Sequence, residues 1–209
     1  LLDPAYLKQR GQLIGDRSLG TAKPGVPPGT QAAAAEDASV HKAATSHISV
    51  VDGFGNALSM TTTIEDIFGS RMMVRGFLLN NQLTDFSFAP TADGLPIANR
   101  VQAGKRPRSS MAPALVFDRA SGQLVGTVGS PGGSQIIGYV TKTLVGVLDW
   151  NLDIQQAISL PNFGSRNGPT ELEREQFSPF ISETLKARGH DVREIDMASG
   201  LQGIVRVQL

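Results

Sequence analysis

Two threonines, Thr45 and Thr63, stand at the ends of the stretch TSHISVVDGFGNALSMTTT. Its first half alternates, with Thr45, His47, Ser49 and Val51 on one face and Ser46, Ile48 and Val50 on the other. After the cluster Asp52-Gly53-Phe54-Gly55-Asn56 it alternates again through ALSMTTT, which predicts a β-hairpin. A turn centred on Phe54 sets Thr45 across from Thr63. Facing residues of an antiparallel pair hold their Cβ atoms about 4.5–5.5 Å apart, within reach of a bond between two hydroxyls. A threonine that opens a strand after a loose linker meets the needs of an N-terminal nucleophile: its hydroxyl attacks and its own α-amine serves as base. The α-amine suits that task because its pKa is about 8, well below that of lysine. It exists only if the bond between Ala44 and Thr45 is cut. The same residue also reads as a plain strand-starting threonine, since threonine favours strands.

Three further constellations carry chemistry. In VGSPGGSQII, 128–137, Gly132 and Gly133 bare backbone N–H groups where an amphipathic helix begins. That geometry binds anions and forms an oxyanion hole for a tetrahedral intermediate. No GK[ST] follows, so it is not a phosphate-binding Walker loop, and a tight strand-to-helix turn explains the glycines equally well. In KRPRSSMAP, 105–113, the adjacent Ser109 and Ser110 offer hydroxyls and backbone donors to a carboxylate, though paired serines are common in loops. In LLNNQLTDF, 78–86, Asn80, Asn81, Gln82 and Asp85 follow an apolar run, as polar groups do at a pocket rim or in an ordinary turn. Glu65, two past Thr63 and on its face, adds a carboxylate that reads either as part of a site or as surface charge. His47 alone reads as a packed or hydrogen-bonded histidine. His41, His47 and His190 are widely spaced, no HExxH occurs and cysteine is absent, which argues against a metal site.

These residues need elements to hold them. The chain has 209 residues, the size of about one domain, with zero formal net charge. It has no basic block, which argues against nucleic acid as a partner. No apolar run approaches the ~20 residues that span a bilayer. Without cysteine, disulfides, thiolate metal sites and a cysteine nucleophile are excluded. A short helix is predicted at 5–14, then a linker at 20–42 rich in Pro, Gly, Ala and Thr. GFLLNNQL, 76–83, reads as a buried strand, and ALVFD with LVGTVG as a strand pair. Apolar residues at 136, 137, 140, 144, 147 and 148 predict a half-buried helix over 134–150 capped by Ser134. A second helix is expected at 178–188, closed by Gly189. Strand pairs between helices argue for an α+β fold with at least one antiparallel sheet. The opening LLDP is neither an initiator nor a signal peptide, and GIVRVQL stops inside a strand, so a longer protein is expected.

In this order, TSHISVVDGFGNALSMTTT, FGS at 68–70, LLNNQLTDFS, GKRPRSSMAP and GSPGGSQII resemble the small subunit of the γ-glutamyltransferases, with the end of the large subunit attached. The resemblance covers most of the chain from Thr45 onward. It implies an N-terminal nucleophile hydrolase fold, a four-layer αββα sandwich of which this chain supplies about half. The precursor would cleave itself between Ala44 and Thr45. Residues 1–44 would be the C-terminal tail of the large subunit with a flexible linker, and 45–209 the catalytic small subunit, truncated at its C-terminus. By motif match Thr45 is the nucleophile, Thr63 its hydrogen-bond partner, and Gly132 and Gly133 the oxyanion hole. Ser109 and Ser110 would hold the α-carboxylate of a γ-glutamyl group, while Glu65, Gln82 and Asp85 hold its α-ammonium.

The implied reaction transfers the γ-glutamyl group of glutathione or a related donor through a threonine ester to water, an amino acid or a peptide, with no metal or organic cofactor. The implied partner is the large subunit of the same precursor, which in the family carries an arginine that clamps the α-carboxylate. The implied location is periplasmic or secreted. Two departures stand out: Glu65 replaces the asparagine of many members, and the segment between Asp85 and Lys105 is shorter than a full lid loop. The short lid resembles that of the glutaryl-cephalosporin acylases, whose acyl group lacks the α-amine. An acylase of that type, or an unprocessed homologue that binds amino acids or peptides, therefore stays open beside the first reading.

Overall fold

The computed structural model describes residues 1–30, 34, 35, 37 and 44–206. Ten residues of the 20–43 stretch, His41 among them, and the last three of GIVRVQL lie outside the described residues. Helix α1, Pro4–Gly11, starts where Pro4 presets the first turn and the Asp3 carboxylate accepts from the Tyr6 N–H at 2.7 Å. It ends three residues before the predicted limit. None of its residues is buried, so its apolar side chains find no core among the described residues.

The hairpin forms as the alternation demands. Strand β1, Thr45–Val51, pairs antiparallel with β2, Ala57–Thr63, in the register that sets Thr45 opposite Thr63 and His47 opposite Thr61. The turn is fixed by Asp52, whose carboxylate accepts from the N–H groups of Phe54 and Asn56, both at 2.9 Å. Two-residue strands follow: β3, Met73–Val74, with β4, Phe77–Leu78, then β5, Thr91–Ala92, with β6, Leu95–Pro96. The expected buried strand at 76–83 is therefore not there. Phe77 is 74% exposed because, among the described residues, β4 pairs with the exposed β3 alone.

Strands β7, Ala114–Phe117, and β8, Leu124–Gly129, form the predicted pair around a turn held by Asp118. The C-terminal strand β12, Gln202–Val205, joins the other edge of β8 to complete a three-stranded antiparallel sheet. Helix α2, Ile136–Leu148, and helix α3, Ile154–Ser159, cover one face of this sheet. The core lies between them: Val128 meets Ile136, Tyr139 and Val140, with Met197 and Leu201. Ser134 does not cap α2. It sits in a single 3-10 turn, Gly133–Gln135, and its hydroxyl instead accepts from Arg166 at 3.4 Å.

The other face of the sheet receives the hairpin, so Thr127 points at Ser49 while its neighbour Val128 points at α2. A Cβ on Gly129 would lie 2.1–2.5 Å from atoms of the His47 ring, so only glycine lets the two sheets approach this closely. The order is hairpin, sheet, helices. A separate unit follows, in which β10, Thr170–Glu173, pairs with β9, Phe163–Gly164, and runs parallel to β11, Val192–Ile195. Helix α4, Pro179–Ala187, bridges β10 and β11 and ends before Gly189, whose φ of 87° fits a left-handed C-terminal cap. Among the described residues no helix is long and apolar enough to cross a membrane.

Candidate active site

An open cleft of about 110 Å³ forms where the hairpin's two ends meet the turn before α2. Thr45, Thr63, Glu65, Gln82, Asp85, Ser109, Ser110 and Gly133 all line it. Eight of the nine residues proposed from the sequence thus converge, drawn from segments up to 88 positions apart. Gly132, the ninth, stands behind the cleft, at a φ of 137° and packed so closely that a Cβ would lie 2.5 Å from the Tyr139 ring. That tight contact, with Gly133 at a φ of 58°, fixes the turn that brings Gly133 to the cleft wall.

Thr63 makes a specific bond. Its hydroxyl donates to the carbonyl oxygen of Ala44 at 2.7 Å, and accepts in turn from the Glu65 N–H at 2.9 Å. The Ala44 carbonyl belongs to the bond whose cleavage would free the Thr45 amine. A donor there draws electron density from the carbonyl carbon and stabilises an oxyanion forming on it.

The acidic side of the cleft is built by two chain segments held together. The Asn81 N–H donates to the Ile64 carbonyl at 3.2 Å, and the Asn81 side-chain oxygen accepts from the Asp66 N–H at 3.0 Å. Gly69 packs against the Leu79 carbonyl with no room for a Cβ. These contacts bring Glu65 beside the 3-10 turn Gln82–Asp85. The Gln82 amide donates to Asp85 at 2.5 Å and to Glu65 at 3.4 Å. Asp85 is only 7% exposed. Glu65 has a φ of 77°, a left-handed conformation that costs an ordinary residue ~1–2 kcal/mol. Burial, then the nearby Asp85 charge, pushes its carboxyl up to about 7. Two acids crowded in this way lower their energy when a cation sits between them.

His47 lies outside the cleft. It is 3% exposed between the two sheets, its ring nitrogens facing the hydroxyls of Thr61 at 2.8 Å and Ser49 at 3.1 Å, and burial depresses its pKa. Asn80 and Asn81 shape the 79–85 turn rather than the cleft, Asn80 by accepting from the Gln82 N–H at 3.0 Å. Among the described residues no group of His, Cys, Asp and Glu could hold a metal ion.

Sequence reasoning missed Asn99 and Arg108. Asn99 donates to the Asp85 carbonyl at 2.7 Å and accepts from the Arg108 N–H at 3.0 Å, tying the acidic turn to the serine loop. Arg108 lines the cleft next to the two serines. Nothing in the loop around Asn99 marks it, whereas Arg108 beside a proposed carboxylate site carried a readable signal.

The model of the family described as Gamma-glutamyltranspeptidase matches residues 1–208. A glutathione hydrolase proenzyme of Bacillus subtilis subsp. natto is 39% identical over 199 residues, 91% of this chain and 33% of that protein. The chain spans about a third of the length of the curated relatives it matches, 33% in each of three. Among solved structures, a mutant of Helicobacter pylori gamma-glutamyltranspeptidase superposes with a TM-score of 0.67 at 34% identity, covering 76% of this chain and 89% of that one. An acivicin-inhibited gamma-glutamyltranspeptidase gives 0.69 at 34% identity, covering 78% and 90%. The layered α+β arrangement is that of the N-terminal nucleophile hydrolases these structures represent. By its sequence from end to end, and by the fold that sequence takes, this chain belongs to the gamma-glutamyltranspeptidase family.

Proposed function

We propose that the protein is a γ-glutamyl hydrolase and transferase that matures by cutting itself between Ala44 and Thr45. Residues 1–44 then end the large subunit and 45–209 form the small one. The observation that carries this reading is the Thr63 hydroxyl on the Ala44 carbonyl, with Thr45 across the hairpin at the floor of the cleft. In maturation the Thr45 hydroxyl adds to the Ala44 carbonyl carbon and the C–N bond breaks, leaving an ester and a free amine. Water then hydrolyses the ester to the Ala44 carboxylate and restores the hydroxyl. The acivicin-inhibited relative reveals critical roles for that enzyme's C-terminus in autoprocessing and catalysis, which supports a self-cutting precursor here.

In turnover the new amine takes the proton from the Thr45 hydroxyl as its oxygen attacks the γ-carbonyl of the donor. Backbone N–H groups at Gly132 and Gly133 hold the oxyanion. Collapse expels the leaving amine, which carries the proton away, and leaves a γ-glutamyl ester on Thr45. Water, or the amine of an amino acid or peptide, takes the acyl group, with the Thr45 amine again as base. Glutathione is the proposed donor, since the relatives are glutathione hydrolases.

The convergence of Glu65, Gln82 and Asp85 favours γ-glutamyl over glutaryl donors. A glutaryl group brings no cation to the acidic pair, while an α-ammonium offsets the burial and the Asp85 charge that together raise Glu65. The hairpin's outer side supports a second subunit. Ile48, Val50, Leu58 and Met60 project there, 39–46% exposed, as an apolar face suited to burial under the rest of the precursor.

Intact mass and N-terminal sequencing of the full-length protein test this. The wild type is expected to yield a fragment beginning Thr-Ser-His, and Thr45→Ala to stay whole. A wild type that remains one chain under conditions where it is folded has no threonine amine, and the mechanism fails.

A further inference from the structure

The turn that brings Gly133 to the cleft has little to hold it from within. No side chain caps it or the start of α2. It closes through the Gln135 N–H, which donates to the Gly132 carbonyl at 3.2 Å, and the Ile136 N–H, which donates to the Gly133 carbonyl. Support comes from the β9–β10–β11 unit. Glu171 on β10 is 9% exposed and stands opposite Gly164 of β9. One oxygen of its carboxylate accepts from the Gln135 side-chain amide, and the other from the Arg166 guanidinium at 2.6 Å. A second guanidinium nitrogen of Arg166 donates to the Ser134 hydroxyl at 3.4 Å, and Ser134 lines the cleft. One carboxylate therefore holds two successive residues of the turn, the first through Arg166 and the second directly. Gly164 leaves room for this, since a Cβ there would lie 2.8 Å from the Gln135 side-chain oxygen. The loop bearing Arg166 is pinned in turn by Asn167, which accepts from the Ala22 N–H at 2.7 Å and donates to the Ala22 carbonyl at 3.0 Å.

We propose that Glu171 is a positioning residue for the oxyanion turn, acting through Gln135 and Arg166, and that it governs the rate of acyl transfer rather than the binding of donor. This rests on the reading of Gly132 and Gly133 as the oxyanion hole. Glu171, Gln135 and Arg166 do not line the cleft, so the turn is their route to it. Oxyanion donors act once the attacked carbonyl has become tetrahedral, whereas the residues read as holding the donor's head group lie on other segments. A turn left loose keeps donor bound and holds the oxyanion poorly, and a misplacement of roughly 1 Å can cost about 100-fold in rate. The side chains fit this task. A planar guanidinium can serve a carboxylate and a hydroxyl together from separate nitrogens, and its charge offsets that of the buried acid. Lysine, a point charge, could satisfy Glu171 without also reaching Ser134.

Two measurements decide it. The first is made on cut full-length enzyme with a γ-glutamyl anilide. Glu171→Gln, which keeps the shape and removes the charge, is expected to lower kcat at least tenfold and to change KM less than twofold. Two ligands then separate position from general damage: L-glutamate, and its analogue with a boronic acid in place of the side-chain carboxyl. The boron accepts the Thr45 oxygen while the hydroxyl proton passes to the Thr45 amine, which gives a tetrahedral anion. Glu171→Gln should weaken the boronate at least tenfold and L-glutamate less than twofold. Parallel loss of both, or loss of neither, overturns the proposal.

The second needs no turnover. In full-length, uncut Thr45→Ala protein, amide hydrogen exchange at Gln135 and Ile136 reports opening of the turn. Adding Glu171→Gln is expected to speed it at least tenfold and to leave Val140 and Leu144, deeper in α2, within twofold. Uniform acceleration along α2 marks a general loss of stability and overturns the brace, as does no change at all. If the wild type turns over no γ-glutamyl donor, the γ-glutamyl reading falls, and the exchange still judges whether Glu171 holds the turn.

Discussion

The two faces of the β1–β2 hairpin invert the usual order of polar outside and apolar inside. The inner face is polar: buried His47 bonds half-buried Thr61 and Ser49, and Ser49 faces Thr127 across the sheets. The outer face, Ile48, Val50, Leu58 and Met60, is apolar and 39–46% exposed. On the proposed reading, this apolar face is the one that the rest of the precursor would cover; none of the described residues buries it. A polar inner face shows that the space between the sheets is wired rather than oiled, and the same face carries Thr45 and Thr63 at its end. Buried polar groups specify a single arrangement when all their partners are present, and the cleft at the end of the hairpin depends on that arrangement.

The comparison can be broken at four places, and the largest effect is expected at the reactive end of the inner face. Thr63→Ala removes the donor to the Ala44 carbonyl, and loss of one oxyanion donor slows such a step by about 10²–10³. Self-cleavage of full-length protein, followed by mass over time, should slow by that factor, and Thr63→Ser should restore most of it. Unchanged cleavage would detach the hydroxyl from the reaction.

Next comes the inner face itself. Gly129→Ala drives a Cβ into the His47 ring, and forcing atoms into a packed interior costs about 1–3 kcal/mol or more. Denaturant unfolding of the full-length protein reads this directly. Combining it with His47→Ala should recover part of the loss, which a clash predicts and a general weakness does not.

The outer face should respond in the opposite sense to context. Val50→Ser or Leu58→Ser is expected to cost the full-length protein ~1–2 kcal/mol each, a fraction of the ~1.5–3 kcal/mol for complete burial of such side chains. The same changes should leave the 45–209 segment alone almost unaffected. Equal small effects in both would mean that this face is meant for solvent.

The smallest stability effect is expected at Glu65. Asparagine tolerates the left-handed conformation better, so Glu65→Asn should add ~0.5–1 kcal/mol to stability. Its folded pKa of about 7 is raised above the usual carboxylate value, so the folded state binds the extra proton. Stability contributed by that proton is present at low pH and lost as pH rises towards 7. Ammonium binding runs the other way, because only the ionised acid attracts it. KM for a γ-glutamyl donor should therefore fall as pH rises through about 7 in the wild type, and Glu65→Asn should flatten that dependence.

Much of this was legible in the sequence, for a definite reason. The hairpin register follows from alternation around one turn, and the Gly-Gly turn and strand pair β7–β8 are equally local. The helix at 134–150 was seen but its start was misplaced, because Ser134 resembles a cap and nothing local reveals that Arg166, 32 residues away, holds its hydroxyl. The buried strand at 76–83 failed for the same reason in reverse: apolar content was read as burial, yet among the described residues only the exposed two-residue β3 lies beside it. The site's residue types were readable as four separate patches. What joins them is Asn99, an asparagine in an unremarkable loop, whose meaning lies wholly in contacts 14, 9 and 62 positions away.

On the proposed reading, the hydroxyl of Thr63 would serve two masters in sequence. It would attend the chain's own backbone once in the lifetime of the molecule, and only afterwards a stream of foreign acyl groups at the same place. A change that tunes it for the second task would then be screened by the first, since a molecule that never opens itself would never meet a substrate. The range of substitutions open to this position would be narrowed by a reaction that leaves no product in the medium.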